Sequence, residues 1–244
     1  MIEIETPDGL AEAYVARPDD DQHPGVLFFM DAIGLRPRIE EMADRIASWG
    51  YVVMAPNLFY RDGRVASLAT TADLRVPGNR EIFFEEAMPR AQALSPDRVK
   101  PDLAAYFATL RELPGVADGR FGVTGYCMGG RLALVAACDF PDQVAAAGDF
   151  HGGRLATESP DSPHHRLPQA RASFVFGHAD NDGSMTPEDV ARLEAALDDA
   201  GLTYTSAVYE GAPHGYTMSD TSMYDEGASE RHFTELKALL DGAL

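Results

Sequence analysis

Cys127 is framed as a nucleophile would be. It lies in Gly125-Tyr126-Cys127-Met128-Gly129-Gly130, after an apolar segment and ahead of a helical one. Small residues two positions either side of a central nucleophile suit a sharp strand-to-helix turn, because strand and helix must approach with no side chain between them. At such a turn the nucleophile stands exposed on strained backbone. The amide of the next residue, Met128, can donate to a developing oxyanion, and the helix N-terminus favours negative charge. A thiol there can attack an acyl carbonyl. A single cysteine in an apolar segment is also a common packing residue, so its partners matter.

His214 lies in Tyr209-Glu210-Gly211-Ala212-Pro213-His214-Gly215, a loop directly after an apolar strand pattern. A histidine there can take the thiol proton and return it to the leaving group. Between Cys127 and His214 comes the loop Gly177-His178-Ala179-Asp180-Asn181-Asp182-Gly183. Asp180 or Asp182 can orient the imidazole and stabilise its charged form. The order is nucleophile, acid, histidine, as in the strand-turn-helix hydrolases. His178 precedes both acids and stands in the wrong order to be the base.

The elements that must hold these residues alternate along the chain. Ile2–Ile4 and Ala11–Ala16 read as a hairpin around Pro7-Asp8-Gly9. Gly25 to Met30 is an unbroken apolar run, as expected of a strand covered on both faces. Strands are predicted at 51–55, 120–125, 144–150, 172–176 and 203–209. Helices are predicted at 37–49, 81–94, 102–113, 128–138, 188–200 and 229–240. This alternation predicts an α/β fold with a mostly parallel central sheet and helices on both faces. A polar loop with three prolines covers 152–169. Residues 60–98 form an irregular, cap-like insertion or a plain surface excursion. One domain, 1–244, is expected.

The sequence carries 39 acidic and 20 basic residues, a formal net charge of -19. That field disfavours nucleic-acid backbones and anionic membranes as partners. No apolar stretch approaches the ~20 residues of a membrane span. The acidic N-terminus does not read as a signal peptide. The two cysteines, Cys127 and Cys138, have neither disulfide-framework nor metal-ligand spacing, which fits a reduced cytoplasmic setting.

The chain resembles the dienelactone hydrolase family of the α/β-hydrolase fold over nearly its whole length. The resemblance rests on the cysteine elbow, on Met30-Asp31-Ala32-Ile33-Gly34-Leu35, on Tyr51 to Leu58, on the aspartate loop and on Glu210-Gly211-Ala212-Pro213-His214-Gly215. It implies Asp182 as the triad acid, with Asp180 the alternative, because Phe176, Asp182 and Met185 keep the family's spacing. It implies that Asp31 is the carboxylate that modulates the nucleophile, where well-known members carry glutamate. Ala32 then supplies the second oxyanion amide beside Met128. The chain departs from the family pattern in one respect. Lactone-cleaving members hold the substrate carboxylate with arginines, one shortly after the histidine, whereas His214 is followed by Gly215-Tyr216-Thr217-Met218. Arg75 and Arg80 of the insertion are candidate substitutes. His151 and Tyr126 either line the pocket or are structural.

The expected function is hydrolysis of a small ester or lactone by Cys127, His214 and Asp182, with no metal or organic cofactor. The alternatives are a general carboxylesterase or thioesterase, and a non-catalytic α/β module with a redox-sensitive Cys127. The expected partner is a small-molecule ester or lactone, with no nucleic acid and no membrane, and the chain is expected as a monomer or homodimer.

Overall fold

The continuous apolar runs become strands with every residue buried, as in Gly25–Phe29 and Val52–Pro56. The computed structural model describes residues 1–244 apart from the side chains of residues 96 and 97. The chain forms two units, Met1–Gly119 with Asp220–Ser222, and Arg120–Ser219 with Met223–Leu244.

In the first unit β1 (Ile2–Thr6) and β2 (Gly9–Ala16) make an antiparallel hairpin, and β2 pairs antiparallel with β4 (Val52–Pro56). β3 (Gly25–Phe29) joins β4 in parallel. Between them α1 (Pro37–Ala47) buries Ile39, Met42, Ala43 and Ile46, the stripe its spacing predicted. Gly50, at φ 99°, then turns the chain into β4. The irregular segment 60–98 contains α2 (Val65–Leu68) and α3 (Asn79–Gln92), with Ile33, Leu74, Phe83 and Ala87 forming a small apolar cluster. Within that segment the side chains of 96 and 97 lie outside the described residues. α4 (Pro96–Glu112) packs against β1 and β3. It begins six residues before the predicted Asp102, because Pro101 is accommodated inside the helix instead of starting it.

The second unit is a parallel array of β5 (Phe121–Tyr126), β6 (Val144–Phe150), β7 (Ser173–Ala179) and β8 (Tyr204–Tyr209). Its helices are α5 (Met128–Asp139), α6 (Pro187–Asp199) and α7 (Glu226–Ala243). The three-proline loop contains a 3-10 helix at Pro163–Gln169. Strand pairing in the two units is mostly parallel, and the class is α/β as the alternation predicted. Among the described residues no helix is long and apolar enough to cross a membrane.

Candidate active site

β5 ends at Tyr126 and α5 begins at Met128, so Cys127 is the single residue of the turn. Its φ of 57° and ψ of -118° are strained for a residue with a side chain. A Cβ on Gly125 would stand 1.9 Å from the carbonyl oxygen of Gly129, so strand and helix meet there backbone to backbone. The Cys127 N–H donates to the Phe150 carbonyl at 3.1 Å, which fastens the turn to β6. Met128 opens α5, and its N–H is one of the first helical amides without an intrahelical acceptor.

His214 follows β8 on the loop to α7. Its Nδ1 lies 2.6 Å from Oδ2 of Asp182, and its side chain also hydrogen-bonds Cys127. A carboxylate only accepts, so Nδ1–H donates and Nε2 is left for the thiol. The second Asp182 oxygen is held by the Ser184 N–H at 2.8 Å and the Ser184 hydroxyl at 2.7 Å. Burial opposes charge on the imidazole. The Cys127 charge and the Asp182 hydrogen bond outweigh it and push His214 up to about 10. Burial pushes the Asp182 carboxyl up, but His214 and Ser184 hold it below its ordinary range. Asp180 serves another purpose. It accepts from the Gly211 N–H at 2.9 Å, and its own N–H donates to the Ala212 carbonyl at 2.8 Å, tying down the loop that carries His214.

The other expected residues are placed as follows. His178 lies inside β7, where burial pulls it down to about 4 and leaves it neutral beside the Ser206 hydroxyl. Tyr126 does not line a pocket. It is fully buried, stacks on Phe150 and hydrogen-bonds His232, because strand alternation turns it into the core. His151 is a neighbour of the catalytic candidates. Its ring packs edge-on against His214 at 5.2 Å between centroids, its Nε2 lies 2.8 Å from the Thr217 hydroxyl, and its φ is 42°.

Asp31 and Ala32 lie in the first unit, both buried, on the loop after β3. Asp31 is ion-paired with Arg36 at 2.7 Å, and Arg36 also grips Asp220 at 2.5 Å. Burial opposes the charge on Arg36, but the two carboxylates more than restore it. No local signal marked this arrangement, since Arg36 and Asp220 are 184 residues apart in sequence. Arg75 pairs with Asp73, and Arg80 lies over the ring of Phe84. Among the described residues no group of three or more His, Cys, Asp or Glu could hold a metal ion.

Residues 11–244 match the dienelactone hydrolase family. The chain belongs to that family and is a dienelactone hydrolase-like hydrolase. It is 28% identical over 222 residues to a protein of Methylorubrum extorquens provisionally named carboxymethylenebutenolidase, covering 88% of this chain and 71% of that one. A Synechocystis protein with the same provisional name is 25% identical over 241 residues, covering 95% and 91%. The crystal structure of a Klebsiella pneumoniae protein, provisionally described as a dienelactone hydrolase, aligns with a TM-score of 0.81 at 24% identity. It covers 98% of this chain and 97% of that one. The fold is that of the α/β-hydrolases.

Proposed function

We propose that the chain hydrolyses small esters or lactones through Cys127, His214 and Asp182. The reading rests on one observation, the continuous chain of contacts Asp182–His214–Cys127 ending at a strained turn. With the proton of the pair already on His214, the Cys127 sulfur attacks the carbonyl carbon, and the Met128 amide receives the oxyanion. The intermediate collapses to a thioester, and His214 returns the proton to the departing alkoxide. Water then attacks the thioester, giving its proton to His214, and the carboxylic acid leaves as the thiol is restored. The sequence of steps needs no metal or cofactor. We take the chain as one domain in this reaction because the family match runs unbroken from 11 to 244.

A thiolate leaves easily, so substrates with good leaving groups are favoured: enol-lactones, aryl esters and thioesters. The segment after His214 supplies no cation, since Gly215 to Met218 are buried and none is basic. Arg36 is already engaged by two carboxylates. These features favour the general-esterase reading, with uncharged substrates, over a carboxylate-bearing lactone. The test is turnover of p-nitrophenyl acetate and of small lactones, with and without a carboxylate, by wild type, Cys127→Ala and His214→Ala in reducing buffer. Loss by orders of magnitude in both variants is expected. Equal rates in wild type and Cys127→Ala would overturn the mechanism, and preference for the carboxylate-bearing lactone would overturn the substrate assignment.

A further inference from the structure

The proposed chemistry leaves the buried carboxyl of Asp149 unused. Asp149 is the penultimate residue of β6, one position before the Phe150 carbonyl that holds the Cys127 turn. A Cβ on Gly130, in the first turn of α5, would lie 2.7 Å from its Cγ and both oxygens. A Cβ on Gly152 would lie 2.1 Å from Oδ1. Any larger residue at either position would collide with the carboxyl, so the pocket is shaped around this group. Oδ1 accepts from the Gly152 N–H at 3.0 Å. Oδ2 is buried with no hydrogen-bond partner among the described residues. An unpartnered buried carboxylate oxygen is costly, and a proton relieves it.

We propose that Asp149 is a positioning residue for the Cys127–His214 pair, a carboxyl clamped between Gly130 and Gly152 whose charge acts on the His214 imidazolium. The inference rests on the triad reading above. Burial pushes Asp149 up to about 8, with the Gly152 N–H and the His214 charge working against that rise. The carboxyl is therefore neutral at pH 7. Above about 8 it releases its proton to solvent and places an anion near the imidazolium. Of the elements packed on β6, β5 carries Tyr126, α5 carries Arg131, Cys138 and Asp139, β7 carries His178, and α7 carries Glu226, Glu230, Arg231, His232, Glu235, Lys237 and Asp241, with Cys127 at the elbow. The loop after β6 adds His151, and the loop after β8 adds His214 and Tyr216. His214 and Tyr216 are in electrostatic contact with Asp149. His178 is held neutral by burial. His214 is the partner whose charge an Asp149 anion would stabilise.

The variants Asp149→Asn and Asp149→Ser remove the ionisation, and the second keeps a small polar group should the first fail to fold. The primary readout is the NMR titration of the His214 imidazole, assigned with His214→Gln. In both variants His214 should lose its proton at lower pH, by about half a unit or more. The alkaline limb of kcat/KM should move down with it. An unmoved His214 titration in a folded variant overturns the proposal, because a purely structural Asp149 would not shift it. The titration does not depend on turnover. A shifted His214 in an enzyme without Cys127-dependent hydrolysis would thus sink the triad reading and leave the electrostatic coupling standing.

Discussion

A histidine pushed up from 6.5 to about 10 needs strong local causes, and each can be removed singly. His214, at about 10 against an ordinary 6.5, is protonated throughout neutral pH. Its folded value is raised, so its contribution to stability is full below about 6.5 and is lost as pH rises through about 10. Asp182 is lowered, so its contribution is present above its ordinary 3.8 and lost on acidification. Asp182→Asn should bring the His214 titration towards neutrality and cut kcat by about 10²–10⁴, by analogy with the loss of an orienting acid elsewhere. Asp180→Asn should change the rate far less, since Asp180 contacts loop amides and not the imidazole. A larger loss for Asp180→Asn would transfer the acid role. The two thiols should also separate. Cys138 is buried and pushed up to about 12 by that burial, with Asp139 adding to the rise and Arg166 opposing it. Iodoacetamide at pH 7 should therefore modify one cysteine, identified as Cys127 by peptide mass, and modification of both in the folded protein would contradict this environment. The His214–Asp182 contact was legible in the sequence because the residue types able to act as acid and base are few and stand in a fixed order. Arg36 was not, because its role depends on Asp220 arriving from a distant part of the chain.

At the level of elements, the turn geometry and the helix caps are what can be tested. Gly125→Ala places a methyl 1.9 Å from the Gly129 carbonyl oxygen, so β5 and α5 must separate. The expected loss is about 3 kcal/mol or more in urea unfolding, with activity lost in the surviving fold. A loss under ~0.5 kcal/mol would mean that the turn is more yielding than its backbone contact implies. α6 begins with a capping box in which the Thr186 hydroxyl accepts from the Asp189 N–H and the Asp189 side chain answers the Thr186 N–H. Thr186→Ala should cost about 1 kcal/mol of stability and leave kcat unchanged. The long elements were readable because their apolar period persists over many residues. α2 and the 3-10 helix at Pro163–Gln169 were not, since four and seven residues carry too little periodicity. The start of α4 was misread because a proline inside a helix looks the same in sequence as one that opens it. α7 begins at Glu226 and not at the predicted Ser229 because Asp225 caps it, its side chain accepting from the Ala228 N–H.

Across the whole molecule the question is what a net charge of -19 does to a fold that keeps its central ion pairs sheltered. With 39 acidic groups against 20 basic ones, many surface carboxylates have no cation available to them, and their mutual repulsion opposes the compact state. The buried pairs behave differently. Asp31 and Asp102 expose about 5% of their side chains, and their arginines 10% and 16%, so mobile ions reach them poorly. Salt shortens the screening length from ~10 Å at 0.1 M to ~3 Å at 1 M. It should therefore weaken surface repulsion more than it weakens these pairs. Raising KCl from 0.05 to about 0.5 M should raise Tm, by about 2–4 °C for every ~1 kcal/mol recovered in a chain of this size. Choline chloride should do the same at equal ionic strength if screening is the cause. A rise with KCl alone would point to specific potassium binding, and a fall with both salts would mean that attractive pairs such as Arg61–Asp102 and Arg36–Asp31 outweigh the surplus of like charge.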